Sequence, residues 1–100
     1  MNNGNAAYFI YKIIDDALEI GELYKKAHRT RKPENQLNLF KDCYVRASAL
    51  TDHCQAFELL LRTVPNIQQE AYDELVSYED ILIRLKDLSM KNIRAIEKYL

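Results

Sequence analysis

FKDCYVRASALTDHCQAFELLL, the run from Phe40 to Leu61, holds Phe40, Cys43, Ala47, Leu50, Cys54, Phe57 and Leu61 in alternating steps of three and four over three heptads. Residues spaced this way share one face of an α-helix. An unbroken repeat of this length is the seam by which a helix packs in a coiled coil or bundle.

Upstream, Pro33 bars this helix from continuing backward, because the residue before a proline is pushed out of the helical region and proline has no amide hydrogen to give. A second helix-period pattern lies before it. From about Ala6 to His28, Ile10, Ile13, Ile14, Ala17, Gly21, Tyr24 and His28 recur at steps of three and four, with Asp15, Asp16, Glu19 and Glu22 on the other face. Ala17 and Gly21, one turn apart on the inward face, lack bulk and suggest a tight crossing with a neighbouring helix.

Downstream, Thr63-Val64-Pro65-Asn66 is a second breaker, with Thr63 or Asn66 able to cap. From about Ile67 to Tyr99 a third stripe runs through Ala71, Leu75, Tyr78, Leu82 and Leu85, broadened by Ile81 and Leu88 and continued by Ile93 and Ile96. Short connections make successive helices antiparallel neighbours. The expected fold is therefore all-α, an up-down-up antiparallel bundle of three long helices forming a single domain over residues 1–100. Apolar residues off the stripes (Phe9, Leu18, Ile20, Leu39, Val45, Leu59, Leu60 and Val76) either widen the core of a monomer or complete a larger bundle by dimerisation.

Composition agrees. With 100 residues the chain can bury one core, and its 48% hydrophobic and 29% charged residues with a net charge of −1 are those of an ordinary folded protein, against disorder and against a strongly cationic nucleic-acid packer. Only two glycines and two prolines are present, too few for the frequent turns of an antiparallel sheet. The N-terminal Met-Asn-Asn-Gly-Asn has no basic region or cleavage site of a secretory signal, and no apolar run approaches membrane-spanning length, so a cytoplasmic location without a membrane partner is expected. Cys43 and Cys54 lie about 16 Å apart along a straight helix and cannot pair with each other. Both fall on the apolar stripe, as small buried hydrophobes.

The strongest local departure from average is KKAHRTRK. Lys25, Lys26, Arg29, Arg31 and Lys32, with His28 among them, put five fixed positive charges into eight residues, and the run reads as a break in the helical pattern. An up-down-up arrangement brings nine of the fourteen Lys and Arg residues to one pole, namely these five with Lys41, Lys91, Arg94 and Lys98. The opposite pole collects Asp15, Asp16, Asp52, Glu58, Glu70, Asp73, Glu74, Glu79 and Asp80. A positive pole attracts phosphates or acidic protein surfaces, although cations near helix C-termini are also favoured by the helix dipole alone.

Other constellations are weaker. Arg46 and His53, one heptad apart, project from one flank, and an arginine followed after four to six residues by a histidine is similar to the motif of the HEPN ribonucleases, small helical bundles that place two such motifs across a dimer interface. The resemblance implies RNA cleavage through attack by a ribose hydroxyl. It covers two positions, and Ala47 stands where that family usually has a polar side chain. Histidine phosphotransfer domains have a lysine and a glycine after their histidine, whereas His53 is followed by Cys54, Gln55, Ala56 and Phe57. His28, Cys43, His53 and Cys54 lack the spacing of a zinc site. Seven tyrosines and no tryptophan leave Tyr8, Tyr11, Tyr44, Tyr72 and Tyr99 to ring the bundle ends, as interface or boundary residues.

The expectation is a non-enzymatic binding or accessory protein, homo-oligomeric, without cofactor or metal. Its basic pole would contact nucleic acid or an acidic protein partner through Lys25, Lys26, Arg29, Arg31 and Lys32. The alternatives are a protein–protein adaptor or inhibitor docking through its helix faces on a larger machine, and a HEPN-like ribonuclease using Arg46 and His53.

Overall fold

Three helices follow in chain order, α1 (Asn3–Arg29), α2 (Pro33–Leu61) and α3 (Gln69–Glu97). The computed structural model describes residues 3–63 and 69–100. Val64, Pro65 and Asn66 of the second breaker, and the expected helix start at Ile67, lie outside the described residues.

Local chemistry explains the ends. Lys32 is extended at φ −75° and ψ 122°, and Pro33 opens α2, where its fixed φ fits the first turn and its missing amide hydrogen would have had no partner. At the far end of α2 the Thr63 hydroxyl and amide both donate to the Leu60 carbonyl, at 2.7 and 3.1 Å. Thr63 therefore closes the last turn of α2, satisfying a carbonyl that has no partner within the helix.

α1 is longer than its apolar stripe implies. Lys25, Lys26 and Arg29 all lie inside it, so only Thr30, Arg31 and Lys32 connect it to α2. The expected break across KKAHRTRK is thus confined to its last three residues. Straight-chain Lys and Arg are good helix formers, and the last turn, which carries Lys26, His28 and Arg29, is where cations complement the helix dipole.

The helices pack up-down-up. Against α2, α1 runs antiparallel: the Phe9 and Phe57 rings meet at 5.9 Å towards one end, the Tyr24 and Phe40 rings at 5.6 Å towards the other. α2 and α3 are also antiparallel, with Gln55 donating to Glu79 at 3.3 Å and the Lys86 ammonium 5.9 Å from the centre of the Tyr44 ring. α1 and α3 consequently run parallel, and the Asn92 amide donates across to the Tyr24 hydroxyl at 3.3 Å. The result is a rod measuring 52 × 18 × 17 Å.

The seam of α2 is buried at Phe40, Cys43, Ala47, Cys54, Phe57 and Leu61 as expected. Leu50 is only half-buried, and Thr51 is buried beside it. A straight helix drifts by about 20° per heptad against a strict seven-residue repeat, and midway along α2 the drift brings Thr51 under α3. Its hydroxyl is satisfied by the Ala47 carbonyl at 2.7 Å.

Two apolar clusters fill the rod. The larger joins Ile10, Ile13, Ile14 and Ala17 of α1 to Ala47, Cys54, Phe57 and Leu61 of α2 and Leu75 and Leu82 of α3. The smaller sits beneath the basic end and is built on Ala27, Phe40 and Ile93, with Tyr24, Leu37, Leu39, Tyr44 and Ile96 against it. Three expectations are corrected here. Ala27, not His28, ends the buried stripe of α1, and His28 is exposed, with its ring centre 5.2 Å from that of Phe40 and the two rings nearly perpendicular. Ile20, off the stripe, is buried and so widens the core, one of the two roles open to it. Ile81 and Leu88 do not broaden the core, being 45% and 43% exposed. Gly21 makes no tight crossing: a Cβ added there would meet nothing within 4 Å.

Between the clusters α3 contributes Ser89, fully buried and with its hydroxyl unpartnered. An unsatisfied buried hydroxyl costs about 1–3 kcal/mol, and alanine is the better helix former. Ser89→Ala is expected to raise unfolding stability by about 1 kcal/mol in a denaturant titration, whereas Phe40→Ala, which empties the centre of the smaller cluster, is expected to lower it by about 3–5 kcal/mol.

Candidate functional site

The basic pole is assembled from three chain segments held over the smaller cluster. Ala27 is the pivot. Its side chain is buried, and its carbonyl accepts from the Thr30 amide at 3.2 Å and from the Gln36 side-chain amide at 3.1 Å. The Thr30 hydroxyl donates to the Lys26 carbonyl at 2.8 Å, and the Gln36 amide donates to the Lys32 carbonyl at 2.9 Å. These bonds tie the end of α1 to the first turn of α2 and fix the connection that carries Arg31 and Lys32.

All five of Lys25, Lys26, Arg29, Arg31 and Lys32 are exposed. Lys25 and Arg29 stand one turn apart on α1, with Lys26 beside them. Among the described residues only Lys25 has an acidic partner, Glu22 at 3.2 Å, in an exposed pair of the kind that contributes a few tenths of a kcal/mol. The end of α3 adds Lys91, Arg94 and Lys98, which with Asp87, Met90 and Ala95 line a shallow depression of about 590 Å³. Sequence reasoning brought these three to the pole without counting them as contact residues. Their steps of three and four already placed them on one stripe of the helix.

The helix dipole accounts for part of this charge. The carbonyl ends of α1 and α3 face this pole and favour Lys26, Arg29 and Arg94. Arg31 and Lys32 are different. Arg31 lies between the carbonyl end of α1 and the amide end of α2, whose dipoles act on it in opposite senses, whereas Lys32 is the cap residue of α2, where the dipole disfavours a cation, and it makes no side-chain capping bond.

The opposite half is acidic, but less polar at its tip than expected. Asp15, Asp16, Asp52, Glu79 and Asp80 fall towards the middles of their helices, leaving Glu58 near the end of α2 and Glu70, Asp73 and Glu74 in the first turns of α3 as the acidic end. Lys12 pairs with Asp16 at 3.4 Å.

Arg46 and His53 do share a surface. With Ala49 and Leu50 they form one wall of an open groove of about 470 Å³ between α2 and α1, whose other wall is Asp16, Glu19 and Ile20. The Arg46 guanidinium is held by Asp42 at 3.0 Å. A phosphodiester entering this groove would meet two carboxylates opposite the arginine. His28 and His53 are exposed on different helices, and Cys43 and Cys54 are buried; among the described residues no three His, Cys, Asp or Glu side chains gather to hold a metal ion. Neither thiol is bonded. Burial, reinforced by Asp42, pushes the Cys43 thiol up to about 11, and burial with Glu79 and Glu58 pushes Cys54 up to about 12, so both stay protonated and poorly nucleophilic at neutral pH.

Tyr8, Tyr11 and Tyr99 are exposed, Tyr8 and Tyr99 near the bundle ends and Tyr11 closer to the middle of α1, whereas Tyr44 and Tyr72 pack against the two clusters. No helix among the described residues is long and apolar enough to cross a membrane. No family model, no curated protein and no solved structure matches the chain.

One titratable group outside the pole affects stability. Glu58 of α2 is half-buried against Glu79 of α3, and burial, followed by the hydrogen bond and the charge of Glu79, raises its carboxyl to about 7. The folded chain therefore holds a proton there that the unfolded chain releases near 4.5. Stability contributed by that proton is complete below the unfolded value and is lost as pH rises through the folded one. Glu58→Gln keeps the shape of the side chain without the charge. Its unfolding free energy, from denaturant titrations, should match wild type near pH 4.5 and exceed it above about pH 7 by about 1 kcal/mol once solvent screening of this half-exposed group is allowed for.

Proposed function

We propose that this chain is a non-enzymatic binding protein whose basic pole docks on a polyanionic surface, a nucleic acid or an acidic stretch of another protein. The observation that carries the reading is the pair Arg31 and Lys32. They are exposed, held by a connection fixed at both ends and without acidic partners among the described residues, and Lys32 is set at the amide end of α2, where the helix dipole opposes it. Cations kept in such a place serve a contact rather than the fold. Lys25, Lys26 and Arg29 extend the surface along α1, and Arg29 and Arg31 can present bidentate forks to phosphate or carboxylate. Two buried, unbonded thiols suit a reducing cytoplasmic setting.

A cleavage site at Arg46 and His53 is the second reading, favoured by their shared groove and opposed by its acidic wall. An adaptor that works through its helix faces is the third.

The readings separate in one set of titrations. If nucleic acid is the partner, each neutralised phosphate releases counterions, so about five contacts give a slope of roughly −3 to −4 in log affinity against log salt on a single strand. The double variant Arg29→Glu/Arg31→Glu is expected to weaken oligonucleotide binding at least tenfold at about 0.1 M salt; unchanged affinity would contradict the nucleic-acid reading. Binding of a poly-glutamate peptide alone, with the same loss on charge reversal, identifies a protein partner. RNA cleavage abolished by His53→Ala in a folded protein would establish the ribonuclease instead, and that reading has no basis if wild type cleaves no RNA.

A further inference from the structure

We propose that a second copy of this chain packs antiparallel on the face formed by α1 and α3, pairing the basic half of each copy with the acidic half of the other. Of the three helix–helix contacts in the bundle, α1 on α3 is the thinnest. On its outer side large apolar groups are left in water: Tyr11 and Leu18 of α1 are 63% and 54% exposed, and Ile81 and Leu88 of α3 are 45% and 43% exposed. Tyr11 and Leu18 are one heptad apart, as are Ile81 and Leu88, so each pair lies on a single line along its helix. Helix geometry sets both lines on the flanks bordering the α1–α3 groove, the side on which Asn92 reaches Tyr24. Open space at Gly21, where an added Cβ would touch nothing, leaves room in that groove for a side chain from outside.

Continued by one heptad, the two lines end on opposite charges. The α1 line runs Tyr11, Leu18, Lys25 upward to the basic pole, and the α3 line runs Leu88, Ile81, Glu74 downward to the acidic end. α1 and α3 are parallel and in register at Tyr24 and Asn92, an offset of 68 residues. A two-fold axis crossing the rod at right angles, at the level of Asp15 and Asp16, then brings every member of these lines level with a complement. Leu18 falls level with the partner's Ile81, Tyr11 with the partner's Leu88, and Lys25 with the partner's Glu74. That level is also the midpoint of α1 and of α3, so the two rods overlap along their full length. A parallel pair would instead set Lys25 beside the partner's Lys25 and Glu74 beside the partner's Glu74. The face is large enough: a rod 52 Å long and 18 Å wide presents about 900 Å² in projection, against the roughly 800 Å² per partner of a specific interface.

Light scattering behind size exclusion, without nucleic acid, tests the dimer separately from the polyanion reading. At about 100 µM protein and 0.1 M salt, wild type is expected at twice its 11.8 kDa chain mass. Leu18→Glu is expected at the single-chain mass with unchanged helical circular dichroism, because the isolated bundle leaves Leu18 largely in water. Lys25→Glu is expected to weaken the dimer about tenfold, and adding Glu74→Lys to restore it. A wild-type mass of 11.8 kDa, or a dimer indifferent to Leu18→Glu, overturns the interface. A dimer indifferent to Lys25→Glu, or not restored by the double exchange, overturns its antiparallel sense.

Discussion

Burial of one stripe of α2 between two helices is the constraint on which everything else depends. Phe40 stands at one end of that stripe, Phe57 and Leu61 at the other, and only Cys43, Ala47, Thr51 and Cys54 are buried between them. The small residues let α1 and α3 approach the waist of α2. The large ones anchor each end, Phe40 against Tyr24 and His28 and Phe57 against Phe9. Because α2 does most of the packing, α1 and α3 meet each other only thinly. The unfilled flank above them is a consequence of that geometry.

The same constraint distributes the charge. A short connection at Thr30–Lys32 forces α2 to reverse, so the end of α1, the start of α2 and the end of α3 share a pole. Basic residues separated by some sixty positions in the sequence become one surface. Fixed over the cluster of Ala27, Phe40 and Ile93, the connection holds its cations in place without the entropy cost of ordering a loose loop on binding. A near-neutral chain thereby becomes a rod with a basic end and an acidic half, the polarity on which both the proposed polyanion contact and the proposed antiparallel pairing rest.

The α2 seam was legible because a strict repeat of three and four steps has one physical meaning. Pro33 was legible for the same reason. What escaped reading turned on neighbours rather than on spacing. Ala27 and His28 are adjacent, and only the approach of Phe40 and Gln36 decides which of them lies inside. Ile20 is buried because α2 covers its side of α1, while Ile81 and Leu88, equally apolar, face the thin contact and stay in water. Ser89 has no signal in a sequence, since a serine on an apolar stripe reads as a break in it. Of the candidate site, the five cations from Lys25 to Lys32 stood out by density; the contribution of Lys91, Arg94 and Lys98 depended on topology, and the fixing of the connection by Gln36 on a hydrogen bond to Ala27. Arg46 and His53 were legible as a pair, but the acidic wall opposite them comes from another helix.

The measurement closest to the centre of this argument follows backbone amide signals by nuclear magnetic resonance while a short single-stranded oligonucleotide is added at low salt. If the pole is one working surface built by the fold, residues 25–32 and 91–98 shift together along a single binding curve, and the groove of Asp16, Arg46 and His53 does not respond. Shifts confined to the groove of Asp16, Arg46 and His53, or to residues 25–32 without 91–98, would contradict it.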